Sequence, residues 1–175
     1  IEPGDRILVG KKPTGTLVLD NLLPGERLYL LSTGTGLAPF MSIIRDPQTY
    51  DRFEKVVLVH GCRHVSDLAY RDRITKELAG DEFLGDPIRE KLVYYPTVTR
   101  EPFENRGRIT DLIASGRLFL DVGAPPLDRL ADRVMLCGSP AMLAELRIFL
   151  QSQGYVEGNH GEPGEFVIEK AFVEK

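Results

Sequence analysis

Five short segments of this chain are rich in apolar residues, and turns and helix-like stretches separate them. They are Leu28–Leu31, Val56–Val59, Leu92–Tyr95, Val134–Cys137 and Glu165–Ile168. Val56–Val59 is apolar at every position, which is typical of a parallel strand covered on both faces. Strands that alternate with helices predict an α/β fold, here a doubly wound sheet of five parallel strands.

Helices are predicted in the connections between these strands. The segments are Pro39–Ile44, ended by Asp46-Pro47, then Asp67–Leu78, a stretch near Thr110–Ile113, and Ala141–Leu150. The second is amphipathic, with leucine and isoleucine set among charged residues.

The first 23 residues follow a different pattern. Arg6–Val9 and Thr16–Leu19 are predicted as two short strands with a turn-rich segment between them. Two strands do not form a stable unit alone. We therefore expect residues 1–23 to be the end of a preceding β-domain and residues 24–175 to form the α/β domain. A first residue of Ile1 rather than Met fits a chain that begins inside a longer protein.

Composition narrows the class of protein. A chain of 175 residues, 42% hydrophobic and 27% charged, can bury a core of its own. Its net charge of −4 argues against a nucleic-acid-binding face. No apolar stretch reaches the ~18 residues that a membrane span needs, so we expect no membrane partner.

The cysteines and histidines predict neither a metal site nor a disulfide. Cys62 and Cys137 show no zinc or disulfide spacing, and a reducing cytoplasm is the expected compartment. His60, His64 and His160 are not spaced as metal ligands.

The loop after the first strand is glycine-rich. In an open parallel sheet, ligands bind beyond the carboxyl ends of the strands. Two glycines here allow close approach of the backbone to a ligand, and the proline suits the first turn of a helix. The pattern suits a phosphate or pyrophosphate, but it is not a complete G-x-G-x-x-G, so a tight strand-to-helix turn is the alternative. The candidate cofactor-binding residues are Thr33, Gly34, Thr35, Gly36 and Pro39.

Three arginines are predicted at the same edge of the sheet. Arg63 follows the second strand, and Arg100 and Arg108 follow the third. Three guanidinium groups repel one another unless an anion joins them, and a phosphomonoester provides bidentate contacts. An arginine after the second strand also suits a nucleotide 2′-phosphate. Salt bridges with Glu101 and Glu104 are the alternative for this cluster, and a solvated surface arginine is the alternative for Arg63.

The fourth strand ends in a second small loop. Gly138 permits close approach, and Pro140 can open a helix that contains Met142. Ser139 lies between the glycine and the proline. Cys137 is expected at the mouth of the cleft, where no neighbouring His or Lys would activate it as a nucleophile.

In combination, these segments resemble the ferredoxin–NADP⁺ reductase family, specifically its bacterial, FAD-containing branch. The motifs are STGTGLAP (32–39), VHGCR (59–63), TVTRE (97–101), GRITDL (107–112), MLCGSPAM (135–142) and AFVEK (171–175). The resemblance covers essentially the whole chain. The family's N-terminal flavin-binding β-barrel is missing, apart from what would be its last strands.

This resemblance implies two cofactors, FAD and NADP(H), and electron exchange with ferredoxin or flavodoxin. We expect the protein to be a monomer. It assigns Arg63, Arg100 and Arg108 to the 2′-phosphate and Thr35 to both cofactors. Cys62 and Thr99, within two of the motifs, are further cofactor-binding candidates. Two alternatives stay open: a reductase that serves another acceptor, and a nucleotide-binding domain without redox activity.

The resemblance also implies the catalytic residues. Cys137 would lie beside the nicotinamide and help to position it, and Glu169 would be a carboxylate near nicotinamide and flavin. Ala171 and Phe172 would lie against the flavin ring.

Overall fold

A five-stranded parallel sheet organises the molecule in the computed structural model, which describes residues 4–6, 8 and 15–169. The strands are β1 (Arg27–Thr33), β2 (Lys55–Cys62), β3 (Leu92–Val98), β4 (Asp132–Cys137) and β5 (Phe166–Glu169). They lie in the order β3-β2-β1-β4-β5, and every pair is parallel. The predicted α/β fold with five parallel strands is confirmed.

Six α-helices lie in the connections: α1 (Leu37–Ile43), α2 (Pro47–Arg52), α3 (Gly85–Lys91), α4 (Ile109–Ala114), α5 (Arg117–Asp121) and α6 (Pro140–Ser152). The break predicted at Asp46-Pro47 is present. The Asp46 side chain accepts a hydrogen bond of 2.9 Å from the Gln48 amide and so caps α2.

The helix predicted over 67–78 is displaced and irregular. A short 3₁₀ turn, Val65–Asp67, comes first, and a π-helical segment, Arg73–Glu77, follows. Between them Tyr70 has a φ of 59°, a left-handed conformation that a continuous helix does not permit. The short helices α3 and α5 were not predicted from the sequence, because α3 has a single large apolar residue, Ile88, and α5 is only five residues long.

Two apolar cores cover the two faces of the sheet. Alternate strand residues point to opposite faces, so Leu28 and Leu30 lie in one core and Tyr29 and Leu31 in the other. Phe40 of α1 packs in the first core, and Leu146 of α6 packs in the second. This two-sided burial explains why the strands are apolar throughout.

The predicted strand Thr16–Leu19 is wrong. Residues 16–18 have no strand pairing, and a 3₁₀ turn, Leu19–Asn21, follows them. Leu17, Leu19 and Leu22 are buried in the first core, so the short apolar run that suggested a strand reflects packing against the α/β domain. The predicted strand Arg6–Val9 falls partly outside the described residues, and the domain boundary at residue 23 stays a prediction. No helix in the described part of the chain is long and apolar enough to cross a bilayer.

Candidate functional site

A cleft opens at the carboxyl ends of the strands. It lies where the strand order reverses, between β1 and β4. β2 and β3 lie on one side of β1, and β4 and β5 lie on the other. Such a switch point leaves a crevice between the two loops that follow the central strands. The cleft has a volume of about 940 Å³, which is in the size range of small-molecule and cofactor sites.

Most of the predicted cofactor-binding residues line this cleft. They are Thr33, Gly34, Thr35, Cys62, Arg63, Thr99, Arg100, Arg108, Gly138, Ser139, Pro140 and Met142. Two do not line it: Gly36 is buried, and Pro39 lies in the first turn of α1, half-buried. Five lining residues were not predicted, namely Gly61, Asp67, Gly107, Ile109 and Thr110. All but Asp67 belong to the VHGCR and GRITDL motifs, so these motifs could have identified four of the five as lining residues.

The two central loops touch each other directly. A Cβ atom on Gly36 would lie 2.2 Å from the carbonyl oxygen of Cys137. Gly138 has a φ of +153°, and a Cβ there would lie 2.2 Å from the Thr33 hydroxyl oxygen. That hydroxyl accepts a hydrogen bond of 2.8 Å from the Ser139 amide. The glycines are therefore needed for packing of loop on loop, and the Thr33 oxygen joins the two loops.

Helix α6 begins at the cleft as the sequence predicts. Pro140 is its first residue, and the Ser139 side chain caps the helix by accepting from the Met142 amide at 3.4 Å. Met142 lies in the same first turn, where it is buried and lines the cleft. A glycine, a capping serine and a proline thus place the helix start at the switch point.

The two loops that carry Arg63 and Arg100 are fastened side by side. The Thr99 amide donates to the Cys62 carbonyl at 3.1 Å, and the Arg100 amide donates to the Arg63 carbonyl at 2.9 Å. These bonds continue the β2–β3 pairing beyond the sheet. The Val65 amide also donates to the Glu101 carboxylate. The backbone thereby holds the two arginines next to each other at one end of the cleft.

The arginines differ in their partners. Within residues 15–169, neither Arg63 nor Arg100 has a hydrogen-bonding or ion-pair partner for its exposed side chain. Arg108 donates to Glu145 of α6 at 2.7 Å. Hydrogen bonding to Glu145 raises the pKa of Arg108, and the same contact lowers the pKa of Glu145.

The alternative partners that the sequence suggested are engaged elsewhere. Glu101 accepts from a backbone amide, and Glu104 lies 3.5 Å from Arg71. In the described part of the chain, neither glutamate pairs with Arg63, Arg100 or Arg108.

A series of hydrogen-bonded polar side chains extends inward from Cys62, which lines the cleft. The Cys62 sulfur is 3.2 Å from Nε2 of His60 and 3.3 Å from the Asp67 carbonyl oxygen, and Nδ1 of His60 is 3.1 Å from the Tyr94 hydroxyl. One proton arrangement satisfies all three contacts: Tyr94 donates to His60, His60 donates to Cys62, and Cys62 donates to Asp67. Burial lowers the pKa of His60 to about 4, so the ring is neutral.

Cys137 lies below the cleft rather than at its mouth, which corrects the sequence-based placement. Its side chain is 1% exposed, at the end of β4 and level with Ser32 of β1. Burial, with a smaller contribution from the charge of Glu169, raises the pKa of this thiol to about 11. The thiol is therefore protonated at neutral pH and is no nucleophile.

Glu169 contacts the N-terminal segment. Its Oε2 accepts from the Thr16 amide at 2.6 Å, from the Thr16 hydroxyl at 3.0 Å and from the Leu17 amide at 3.3 Å. In the sheet it lies beside Cys137. This contact joins residues 153 positions apart. Ala171 and Phe172 fall outside the described residues.

Both thiols are expected to resist alkylation in the folded protein. Burial raises the pKa of Cys62 and of Cys137 from 9.0 to about 11, so little thiolate exists at pH 8. The folded state holds these protons more tightly than the unfolded chain, so this part of the stability is complete below pH 9 and is lost as the pH rises through 11. Iodoacetamide labelling followed by mass spectrometry should modify both cysteines in denaturant and neither without it. Rapid labelling of either cysteine in the folded protein would contradict this.

No group of three or more His, Cys, Asp or Glu side chains in the described residues is arranged to hold a metal ion. What the geometry does provide is a glycine-lined crevice at a switch point, with unpaired arginines at one end. Together with the doubly wound sheet, this defines a dinucleotide-binding domain. Comparison with known proteins gives the same class, because residues 30–147 match the family described as oxidoreductase NAD-binding domain.

Individual relatives narrow the class. A ferredoxin–NADP reductase of Pseudomonas aeruginosa is 60% identical over 176 residues, which covers 100% of this chain and 68% of the relative. That of Azotobacter vinelandii is 57% identical with the same coverage. A ferredoxin NADP⁺ reductase from Neisseria gonorrhoeae, solved with bound FAD and NADP, superposes with a TM-score of 0.77 at 27% identity, over 91% of this chain and 61% of that one. The chain belongs to the ferredoxin–NADP reductase family and spans about two thirds of the length of these curated relatives.

Proposed function

We propose that this chain is the NADP(H)-binding part of a flavoprotein that transfers electrons between NADPH and ferredoxin or flavodoxin. The observation that carries the proposal is the pair of unpartnered, exposed arginines, Arg63 and Arg100, fixed at one end of the switch-point cleft. Family membership supports the proposed electron transfer, since relatives named ferredoxin–NADP reductase match the whole chain.

The residues of the cleft fit a dinucleotide that carries a 2′-phosphate. Gly34, Thr35 and Gly138 leave room for a pyrophosphate to approach the backbone between the two loops. Arg63 and Arg100, with Arg108 beside them, supply the charge that a 2′-phosphate requires. Cys62 and Thr99 would form the floor beneath the adenosine end. Met142, Ile109 and Thr110 line the cleft as well. We propose that they form its wall between the pyrophosphate region and the 2′-phosphate region.

The chain's own residues contribute position and electrostatics. Bound NADPH and FAD would supply the redox chemistry, as carriers of the transferred electrons. Gly36 and Gly138 set the spacing of the two loops, and Cys137 provides a neutral, buried support below them. Correct orientation of the bound nucleotide is the main contribution that a protein can make to such a transfer. Glu169, Ala171 and Phe172 are proposed to face the flavin side.

We propose that a flavin-binding β-domain precedes the α/β domain and that residues 1–23 are its last part. Two unpaired cysteines suit a reducing compartment, and we place the protein in the cytoplasm as a monomer.

The test of this function uses the full-length protein. It should be purified yellow, with the absorbance of a flavin, and it should reduce a dye with NADPH far faster than with NADH. Reduction of purified ferredoxin or flavodoxin at the expense of NADPH would identify the acceptor class. A protein with flavin and NADPH activity but no transfer to either carrier would indicate a reductase for another acceptor. A protein without flavin or NADPH oxidation would be a nucleotide-binding domain that lacks redox activity.

A further inference from the structure

One arginine of the cleft already has an internal counter-ion. Arg108 lines the cleft, and its Nη2 lies 2.7 Å from Oε1 of Glu145. The two side chains are 53% and 44% exposed, so the pair lies in water at the rim of the site. In the described part of the chain, Arg63 and Arg100 have no such partner. The three positive charges of the cleft are therefore not equivalent.

Helix geometry places Glu145 next to the site. It follows Met142 by three residues in α6, and residues three apart lie on the same face of a helix. Met142 lines the cleft, but Glu145 does not. Glu145 thus reaches Arg108 from the side, on the helix whose first turn forms one wall of the cleft.

A guanidinium group has five N–H donors, and Glu145 occupies one of them. Arg108 can therefore bind an incoming phosphate while it keeps this contact. The carboxylate then places a negative charge close to a phosphate that itself carries nearly two. Glutamine at this position would retain the accepting oxygen that orients Arg108 and would remove the charge.

We infer that Glu145 is a specificity-determining residue, an internal counter-ion that weakens the hold of Arg108 on a nucleotide 2′-phosphomonoester. This inference rests on the proposed function, since it requires the arginines to bind that phosphate. Glu145 limits the affinity for the nucleotide that carries a 2′-phosphate, which favours release of that nucleotide. It leaves the binding of a nucleotide without the 2′-phosphate unaffected.

The experiment measures binding of adenosine 2′,5′-bisphosphate by calorimetry, with 5′-AMP as the ligand that lacks the 2′-phosphate. Glu145→Gln should lower Kd for the bisphosphate about fivefold, the order expected for one unit charge acting on a phosphate dianion in water-like surroundings. The Kd for 5′-AMP should change less than twofold. Added salt should shrink the difference, because the groups are exposed.

A matched control is a glutamate that lies beyond the C-terminal end of the same helix. Glu157 pairs with Arg147 of α6 at 2.7 Å, away from the cleft lining, and Glu157→Gln changes the net charge equally. This variant should bind the bisphosphate like the unmodified protein. In an Arg108→Ala background, the gain from Glu145→Gln should also fall below twofold.

The outcomes separate this inference from the proposed function. An unchanged or weaker affinity of Glu145→Gln for the bisphosphate would overturn the inference, as would an equal gain from Glu157→Gln. The proposed function fails on a different result, namely bisphosphate binding that does not depend on Arg100. A loss of affinity in Arg100→Ala with no effect of Glu145→Gln would leave the function standing and reject the role of Glu145.

Discussion

Replacing Arg100 with alanine is expected to raise Kd for adenosine 2′,5′-bisphosphate, and KM for NADPH in the full-length enzyme, about tenfold or more. A hydrogen bond to a charged group contributes about 1.5–3 kcal/mol. The Arg100 side chain has no partner among the described residues that would compete with the phosphate. Binding of 5′-AMP and the kinetics with NADH should change little, because neither ligand carries the 2′-phosphate. Calorimetry and steady-state kinetics measure the two effects.

Arg106 offers a control for this substitution. It is an exposed arginine on the same connection, but it does not line the cleft. Arg106→Ala should leave the affinity for both nucleotides within about twofold, since an exposed charge that does not contact the ligand is largely screened. If Arg100→Ala weakened the binding of both nucleotides equally, Arg100 would support the fold of its loop rather than recognise the phosphate.

Replacing Gly36 with alanine is expected to destabilise the protein by about 3 kcal/mol and to abolish nucleotide binding. The added methyl group would meet the Cys137 carbonyl at 2.2 Å, and backbone cannot move aside as the end of a flexible side chain can. Overpacking of this kind typically costs about 1–3 kcal/mol, and here the displaced loop is also a wall of the cleft. Chemical unfolding and bisphosphate titration report the two losses.

Gly34 in the same loop provides the comparison. Its φ is +53°, and a Cβ there would meet no atom within 4 Å. Gly34→Ala should therefore cost only the left-handed backbone strain of about 1–2 kcal/mol. Gly36 has a φ of −61° and carries no such strain, so a loss of stability at Gly36 no larger than that at Gly34 would contradict the close contact between the loops.

The strands and the cleft could be predicted from the sequence because both depend on local patterns. An apolar run such as Val56–Val59 encodes a buried parallel strand, and a glycine or arginine directly after a strand must lie at the carboxyl edge of the sheet. Arg63 and Gly138 were found in this way. The pairing of Arg108 with Glu145 was not, because 37 residues separate them and only the packing of α4 beside α6 brings them together.

Other features depend on contacts that the sequence does not display. Thr16–Leu19 contains a short apolar run like that of a strand, but Leu17 and Leu19 are buried in a core formed by distant residues. Glu169 has no local pattern that indicates its bonds to Thr16. The depth of Cys137 depends on the loop of Gly36 lying over it, which only the three-dimensional arrangement reveals.

The burial of Leu17, Leu19 and Leu22 determines where this nucleotide-binding half can be exchanged between proteins. These leucines fill the core beneath the sheet, and Glu169 holds the segment just ahead of them. A chimera joined at residue 24 would lose these three leucines. The residues of the other protein at these positions would not be matched to this core, and cavities there would lower its stability. In a chimera, the seam between this transplanted unit and the proposed flavin domain therefore belongs before residue 15.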